Sequence, residues 1–565
     1  MALSRANPMK RWTRIACLLL SLLFLMGCAP QGEITEPVTA PDSSGAAVDI
    51  QPETAARTEA ALAQIKTLGS SPDDNYRTWY EIFVYSFCDS DGDGIGDIPG
   101  VISRLDYLQE LGITGIWLMP INPSQSYHKY DVADYYAIDP AYGTLADMDE
   151  LLQQCEQRGI KVIMDLVLNH TGNNHAWFLS AVEYLRSLPA GMEPDLAECP
   201  YVGYYYFSRE AAGGYHAVTG SDWYYEGQFS PDMPDLNLGN ELVRQEIEAI
   251  MAFWLGRGVH GFRLDAVKEF YSGDTASNVE VLAWLQHTAF SYKEDAYLVG
   301  EAWEGASTLP DYYASGMTSF FNFPFGNSDG KIVATLRAAG NGNMVQKHVP
   351  ALVRLQDEFL ARNPDYIDAP FLSNHDVGRI AGFMNRDPVK TKLAGAMNIL
   401  MSGSCFIYYG EEIGMIGSGN DPSKRAPMYW NTARDNGTTN PPLECTLPEE
   451  YPNGSLEEQL TDDDSVYNYY RQAIAIRNSM PVIARGTVSV EEALNVGCIS
   501  AQRKTWGHES CIIVMNIAPD SASVDLSEYD GWTVAATLSA DGTSVERNGA
   551  DLRMGAFGVA ILTQQ

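Results

Sequence analysis

Between Trp79 and Tyr409 the chain alternates short strand-like runs with longer stretches of helical periodicity, and this limits the fold more than any other feature. The strand-like runs are Tyr80–Phe87, Gly115–Met119, Lys161–Leu168, Gly261–Asp265, Tyr297–Glu301, Thr318–Asn322, Pro370–Ser373 and Cys405–Tyr409. Most are separated by helix-like stretches such as Val101–Leu111, Leu145–Arg158, Leu242–Leu255 and Val389–Ile399. A strand, a helix and a further strand imply parallel pairing with the helix as crossover. Eight such strands suggest a closed barrel, so the expected class is α/β, a (β/α)8 TIM barrel. Chemistry in such barrels sits at the carboxyl ends of the strands, where Asp265 and Glu301 fall.

Two stretches break the alternation. Residues 171–235 follow the third strand and are rich in Gly, Tyr and Trp, as in Tyr204-Tyr205-Tyr206 and Trp223-Tyr224-Tyr225. An insertion of that length at the active-site face reads as a functional lobe, with most of its aromatics forming a small core. The barrel then spans 75–170 and 236–480. From 481 to 565 short strands with turn signals, among them Asp541-Gly542 and Asn548-Gly549, predict an antiparallel β domain.

At the other end, Lys10, Arg11 and Arg14 precede an apolar run from Ile15 to Met26. The run is shorter than the roughly 20 residues that span a bilayer and reads as a secretory signal over residues 1–27. Residues 28–74 are rich in Ala, Pro, Thr, Ser and acidic groups and read as a flexible tether, with a short helix around 54–68.

A formal charge of −36 repels nucleic acid and anionic headgroups, so neither is expected as a partner. Nine cysteines without metal-site spacing, two of them (Cys17 and Cys28) in the N-terminal targeting region, do not make a disulfide scaffold.

The stretch Gly261–Glu269 carries the clearest chemistry. Phe262 and Leu264 alternate with Arg263 and Asp265, so guanidinium and carboxylate share one face of a strand. An adjacent Arg keeps a carboxylate ionised, as a nucleophile requires; a structural ion pair has the same pattern.

Five stretches together resemble the signature regions of the α-amylase family of glycoside hydrolases. They are Asp165–His170, Met233–Asn237, Gly261–Lys268, Glu301–Trp303 and Phe371–Asp376, in the family's order. The resemblance implies Asp265 as nucleophile, Glu301 as acid/base and Asp376 as the third carboxylate, gripping sugar hydroxyls. Retaining glycosidases need two such carboxyl groups about 5–5.5 Å apart. Tyr130, His170, Arg263 and His375 match sugar-contacting or supporting positions at the cleavage subsite, and Lys268 one on the leaving-group side. Lys129 stands where the commoner motif has glycine, which puts the neighbouring subsite's shape in question.

After the first strand, Asp89-Ser90-Asp91-Gly92-Asp93-Gly94-Ile95-Gly96-Asp97 spaces acidic groups among glycines in a way that suits Ca²⁺. It resembles the calcium loop of part of the family, implying Asp89, Asp91, Asp93 and Asp97 as side-chain ligands and the Ile95 carbonyl. A second calcium between barrel and lobe stays open: Asn169 matches a ligand, while Glu269 replaces a common His. Leu25-Met26-Gly27-Cys28 resembles a bacterial lipobox, implying lipid on Cys28 and anchoring outside the cytoplasm on the cell surface.

Ala266 and Met-Pro-Asp-Leu-Asn resemble α-1,4-acting members of an intermediate group. The expected activity is internal α-1,4 cleavage of starch and maltooligosaccharides with retention, by a monomer. An exo-acting α-glucosidase, a neopullulanase-like or cyclomaltodextrinase-like enzyme, and a non-catalytic starch-binding protein are the alternatives.

Overall fold

The alternation folds as a ring of parallel strands, seen in a computed structural model that describes residues 55–564. The expected signal segment, Cys28 and the first part of the expected tether lie outside the described residues. Strands β1 (Thr78–Ile82), β2 (Gly115–Leu118), β3 (Lys161–Leu166), β4 (Gly261–Leu264), β5 (Tyr297–Gly300), β6 (Ser319–Phe320) and β7 (Cys405–Tyr408) share one sheet. β7 pairs with β1, and the order then follows the chain to β6, every pair parallel.

Residues 367–371 occupy the place between β6 and β7. The Ile367 N–H donates to Thr318 O (2.7 Å), Asn322 N–H to Ala369 O (3.0 Å) and Phe406 N–H to Pro370 O (2.8 Å). It overlaps the expected seventh strand, Pro370–Ser373, but starts three residues earlier. Pro370 has no N–H to give, so the segment bridges its neighbours without a regular ladder. The ring is nonetheless closed, and the fold is the expected TIM barrel.

The expected first strand, Tyr80–Phe87, ends early, because Val84–Phe87 is a helical turn. A continuous apolar run does not distinguish a buried strand from a buried helical turn. On β4 the period-two reading holds: Phe262 and Leu264 pack in the outer core, and Arg263 lies on the inner face. The barrel interior is aromatic, with Trp79 stacked on Tyr297 at 5.2 Å and 10°. Gly115 lets Trp79 lie across the ring, since a Cβ there would meet the indole at 2.3 Å.

Helix α1 (Ala56–Ile65) falls within the expected tether, yet it packs on the barrel against α3 (Val466–Ser479; α2 is Leu145–Gln157). Leu62 and Ile65 are buried, and Glu59 pairs with the mostly buried Arg471 at 2.9 Å. The amphipathic spacing and that charge pair account for the docking of this helix. α2 shows how the crossover helices are set. Thr144 and Asp147 form a capping box at its start, and Met148, Leu151, Leu152 and Cys155 make its buried stripe.

The inserted lobe holds the helix Ala176–Ser187 and a small sheet of Phe207–Ser208, Tyr215–Ala217 and Tyr224–Glu226. Phe178, Tyr204, Tyr205, Trp223 and Tyr225 are buried there, so the aromatics do form the lobe's core. After residue 486 come a five-stranded and a three-stranded antiparallel sheet. Lys504 fastens them to the barrel, its buried Nζ donating to Leu400 O and Ile483 O at 2.7 Å each.

Candidate active site

β3, β4 and β5 end side by side, and their register sets the chemistry. Asp165 pairs across the ladder with Arg263, and Leu264 pairs with Gly300, just before Glu301. Arg263 is fully buried. Its Nη1 donates to Asp165 (2.8 and 3.0 Å) and to Asp265 Oδ1 (2.6 Å), while Nη2 lies 3.0 Å from Glu301 Oε2. One guanidinium thus gathers three carboxyl groups, beyond the single pair read from the strand. Such a charge can be buried only because its partners are buried with it.

Glu301 is pushed up to about 7, chiefly by burial, with Asp265 and Asp376 adding to the rise and Arg263 opposing it. Its Oε2 accepts the Ala266 N–H at 3.1 Å. Ala266 adopts φ 46°, a left-handed conformation that turns the chain sharply after Asp265. Asp165 is also raised by burial, to about 6, and it accepts hydrogen bonds from Tyr130 Oη (3.1 Å) and Trp117 Nε1 (3.3 Å).

On the opposite side His375 links two acids. Nδ1 meets Glu81 Oε1 at 2.6 Å, and Nε2 meets Asp376 Oδ2 at 3.0 Å. Burial alone would lower this imidazole, yet Asp376 and Glu81 raise it to about 10, so it carries a proton. Burial would likewise raise Asp376, but His375 and Arg425 hold it well below the ordinary carboxylate range. Tyr130 stacks on His375 at 5.4 Å and 18°, its hydroxyl 2.6 Å from Nε2.

His170 is buried, and neither ring nitrogen has a hydrogen-bond partner among the described residues. Burial lowers its pKa, leaving a neutral imidazole with a donor and an acceptor free for a sugar hydroxyl. The exposed Phe229 of the lobe lies 5.4 Å from its ring. Lys268 stands apart from these groups at the cleft edge, 3.4 Å from Trp303 O and near Glu269 and Glu304.

Lys129 keeps the left-handed backbone that suits glycine, with φ 66°. Its side chain turns into the protein and pairs with Asp139 at 2.6 Å, so it does not crowd Tyr130 from the cleft.

Glu81, Asp165 and Arg425 were not singled out from the sequence. Arg425 Nε donates to His375 O (3.1 Å), Nη1 to Tyr127 Oη (3.1 Å) and Nη2 to Asp376 Oδ1 (2.8 Å). It caps the one-turn helix Asp421–Lys424, which is too short to leave a periodic signal. Asp165 opens a recognised stretch and Arg263 implied a charge partner, which was the available signal.

In the acidic loop, one carboxylate oxygen each from Asp89, Asp91 and Asp97 lies within 4.8 Å of the others. Asp93 is not part of this cluster; its carboxylate accepts the Ile95 N–H at 2.7 Å. Burial raises Asp97, as the loss of solvent around a carboxylate requires. Three converging carboxylates, with no cationic side chain paired to them among the described residues, fit a hard divalent cation with oxygen ligands. At the junction of barrel and lobe, Asn169, Glu226, Asp235 and Glu269 line a separate pocket of about 360 Å³. Burial pushes Asp235 up to about 7 there.

The family described as alpha amylase, catalytic domain, matches residues 81–486. The chain belongs to the α-amylase family of glycoside hydrolases. Alpha-amylase 3 of Dictyoglomus thermophilum is 38% identical over 420 residues, covering 73% of this chain and 78% of that protein. The solved structure of Eubacterium rectale Amy13B is 44% identical with a TM-score of 0.85, covering 89% of this chain and 99% of that one. A glucan 1,6-alpha-glucosidase of Streptococcus dysgalactiae subsp. equisimilis is 29% identical over 524 residues, 81% of this chain and 94% of that protein. Membership makes this chain a glycoside hydrolase acting on glucans.

Proposed function

We propose that the chain is an α-amylase that cleaves internal α-1,4 bonds of starch and maltooligosaccharides with retention of configuration. The observation that carries this reading is Arg263 contacting both Asp265 and Glu301, with Glu301 raised to about 7. In this reading Asp265 attacks the anomeric carbon while protonated Glu301 gives its proton to the departing oxygen. Glu301, now ionised, takes a proton from water, which opens the glycosyl–Asp265 bond and returns Asp265 as carboxylate. Asp376, kept ionised by His375 and Arg425, grips hydroxyls of the sugar and favours its distorted form. Tyr130, His170 and His375 hold that same unit.

Asp89, Asp91 and Asp97 would hold Ca²⁺, with Asp93 and the Ile95 carbonyl as the further ligands proposed from the sequence. The ion would offset the repulsion among these acids and fix the loop. Lipidation of Cys28, anchoring the enzyme outside the cytoplasm, belongs to the same proposal and rests on the lipobox resemblance.

A second reading, an exo-acting glucosidase, draws support from relatives named as glucosidases. Chromatography of early maltoheptaose products separates the two. Mixed maltooligosaccharides are expected; glucose alone from the first minutes would replace the amylase reading with the glucosidase one.

A further inference from the structure

Away from the catalytic centre, another cavity of about 360 Å³ opens between crossover helices on the outside of the barrel. That volume lies within the roughly 300–1,000 Å³ of small-molecule sites. The helical turn Leu309–Tyr312 and the helix His348–Arg362 pack together beside it, and Lys331 reaches it from the start of the helix Lys331–Arg337. Arg362 ties the first two together, its Nη2 donating to Asp311 Oδ1 at 3.1 Å. None of the residues that contact Asp265, Glu301 or Asp376 lines the cavity.

The charges around it do not balance. Its charged lining is Lys331, Arg354, Glu358 and Arg362. Arg362 is taken up by Asp311 and lies 3.9 Å from Glu358. Lys331 and Arg354 remain, and neither has an ion-pair partner among the described residues. Burial lowers the Lys331 ammonium, Lys347 and Arg354 lower it further, and no acid opposes them. Lys347 caps the helix His348–Arg362, two turns before Arg354. In a chain of net charge −36, cations gathered without a carboxylate between them are an exception. Their mutual repulsion opposes folding and is relieved by a ligand of opposite sign.

The rest of the lining narrows the ligand. Ser307 adds a hydroxyl donor, while Pro310, Pro324, Phe325 and Leu355 form an apolar wall. A guanidinium fork and an ammonium both suit the oxygens of a phosphate. A phosphate group carries about −1.5 to −2 charges at pH 7, which answers both open cations, whereas a carboxylate would answer one. The apolar wall leaves room for the carbon face of a sugar beside it.

We propose that this cavity binds a phosphate group, free or carried on a sugar. The site depends on none of the catalytic residues, yet it adjoins them along the chain. Ser307 and Pro310 follow Glu301 in one segment, and Pro324 follows Phe323, on which Trp303 stacks at 4.8 Å. A phosphate seated there ties that segment to the helix His348–Arg362.

Isothermal titration calorimetry with orthophosphate and with glucose 6-phosphate tests this in the wild type, Lys331→Gln and Arg354→Gln. Glucose is the control for sugar held in the catalytic cleft, and ionic strength is kept constant because salt screens exposed charges. Arg354 is exposed, so its replacement keeps the fold. Saturable binding of phosphate is expected in the wild type, weakened about tenfold in each variant, the worth of one hydrogen bond from a charged donor. Tighter binding of glucose 6-phosphate than of orthophosphate supports the site with a sugar as carrier; equal affinities support it with phosphate alone. No saturable binding by the wild type, or affinities unchanged in both variants, overturns the proposal and leaves the catalytic reading untouched.

Discussion

At the residue scale the site is a set of carboxyl groups held in different protonation states by their neighbours. Glu301 must donate a proton, and its pKa near 7 means that the acid form is lost above neutrality. The kcat/KM profile should therefore fall on an alkaline limb with its midpoint near pH 7. Glu301→Gln should lose that limb and lower kcat by about 10²–10⁴; an alkaline limb that persists unmoved in this variant would place the titrating acid elsewhere. Arg425 serves Asp376 through a three-way grip on His375 O, Tyr127 Oη and the carboxylate itself. Lysine supplies a point charge but no planar fork. Arg425→Lys should lower kcat/KM by about 10–100-fold, the cost of roughly one to two charge-assisted hydrogen bonds, and steady-state kinetics would show this chiefly in kcat. These two residues also mark what the sequence could and could not give. Glu301 sits at a strand end, where period and position single it out. Arg425 caps a single helical turn, Asp421–Lys424, and is placed by contacts with Tyr127 and His375, distant in sequence, so no local pattern reveals it.

At the element scale, the barrel was legible because each strand follows a period of two or a short apolar run, bounded by helix-like stretches. The exceptions are physical. Val84–Phe87 shares the apolar content of a strand but turns as a helix, and Pro370 interrupts the ladder in the seventh place. α1 meets the short helix expected around 54–68, and the departure lies in its docking on the barrel. Its composition reads as a polar tether, yet Leu62, Ile65 and Glu59 dock it on α3. A chain beginning at Ser71 leaves Arg471 without Glu59 and uncovers the apolar surface beneath Leu62. Such a chain should melt a few degrees below one beginning at Ala55, since each kcal/mol is worth about 2–4 °C in large domains. Calorimetry of the two would show it; identical melting temperatures would mean that the docking adds nothing.

For the whole molecule, the acidic loop is a tie between distant parts. The Asp89 N–H donates to Gly437 O at 2.9 Å and the Asn440 N–H to Gly94 O at 2.7 Å, joining the loop after β1 to the long segment that also carries Arg425. Calcium there would stabilise the folded chain by mass action, about 2.7 kcal/mol at a hundred times Kd. Chelation should lower the melting temperature, added Ca²⁺ should restore it, and Asp89→Ala should abolish the restoration; a melting temperature indifferent to Ca²⁺ would remove the cation from the account. At the centre of the molecule's chemistry, as proposed, Asp265 and Glu301 act together in a double displacement. Proton NMR of the anomeric signals during the first minutes of maltoheptaose cleavage, beside Asp265→Asn, tests it most directly. The α-anomer is expected to appear first, and the variant to release no product. A β-anomer appearing first, or an Asp265→Asn enzyme that still turns over, would contradict it.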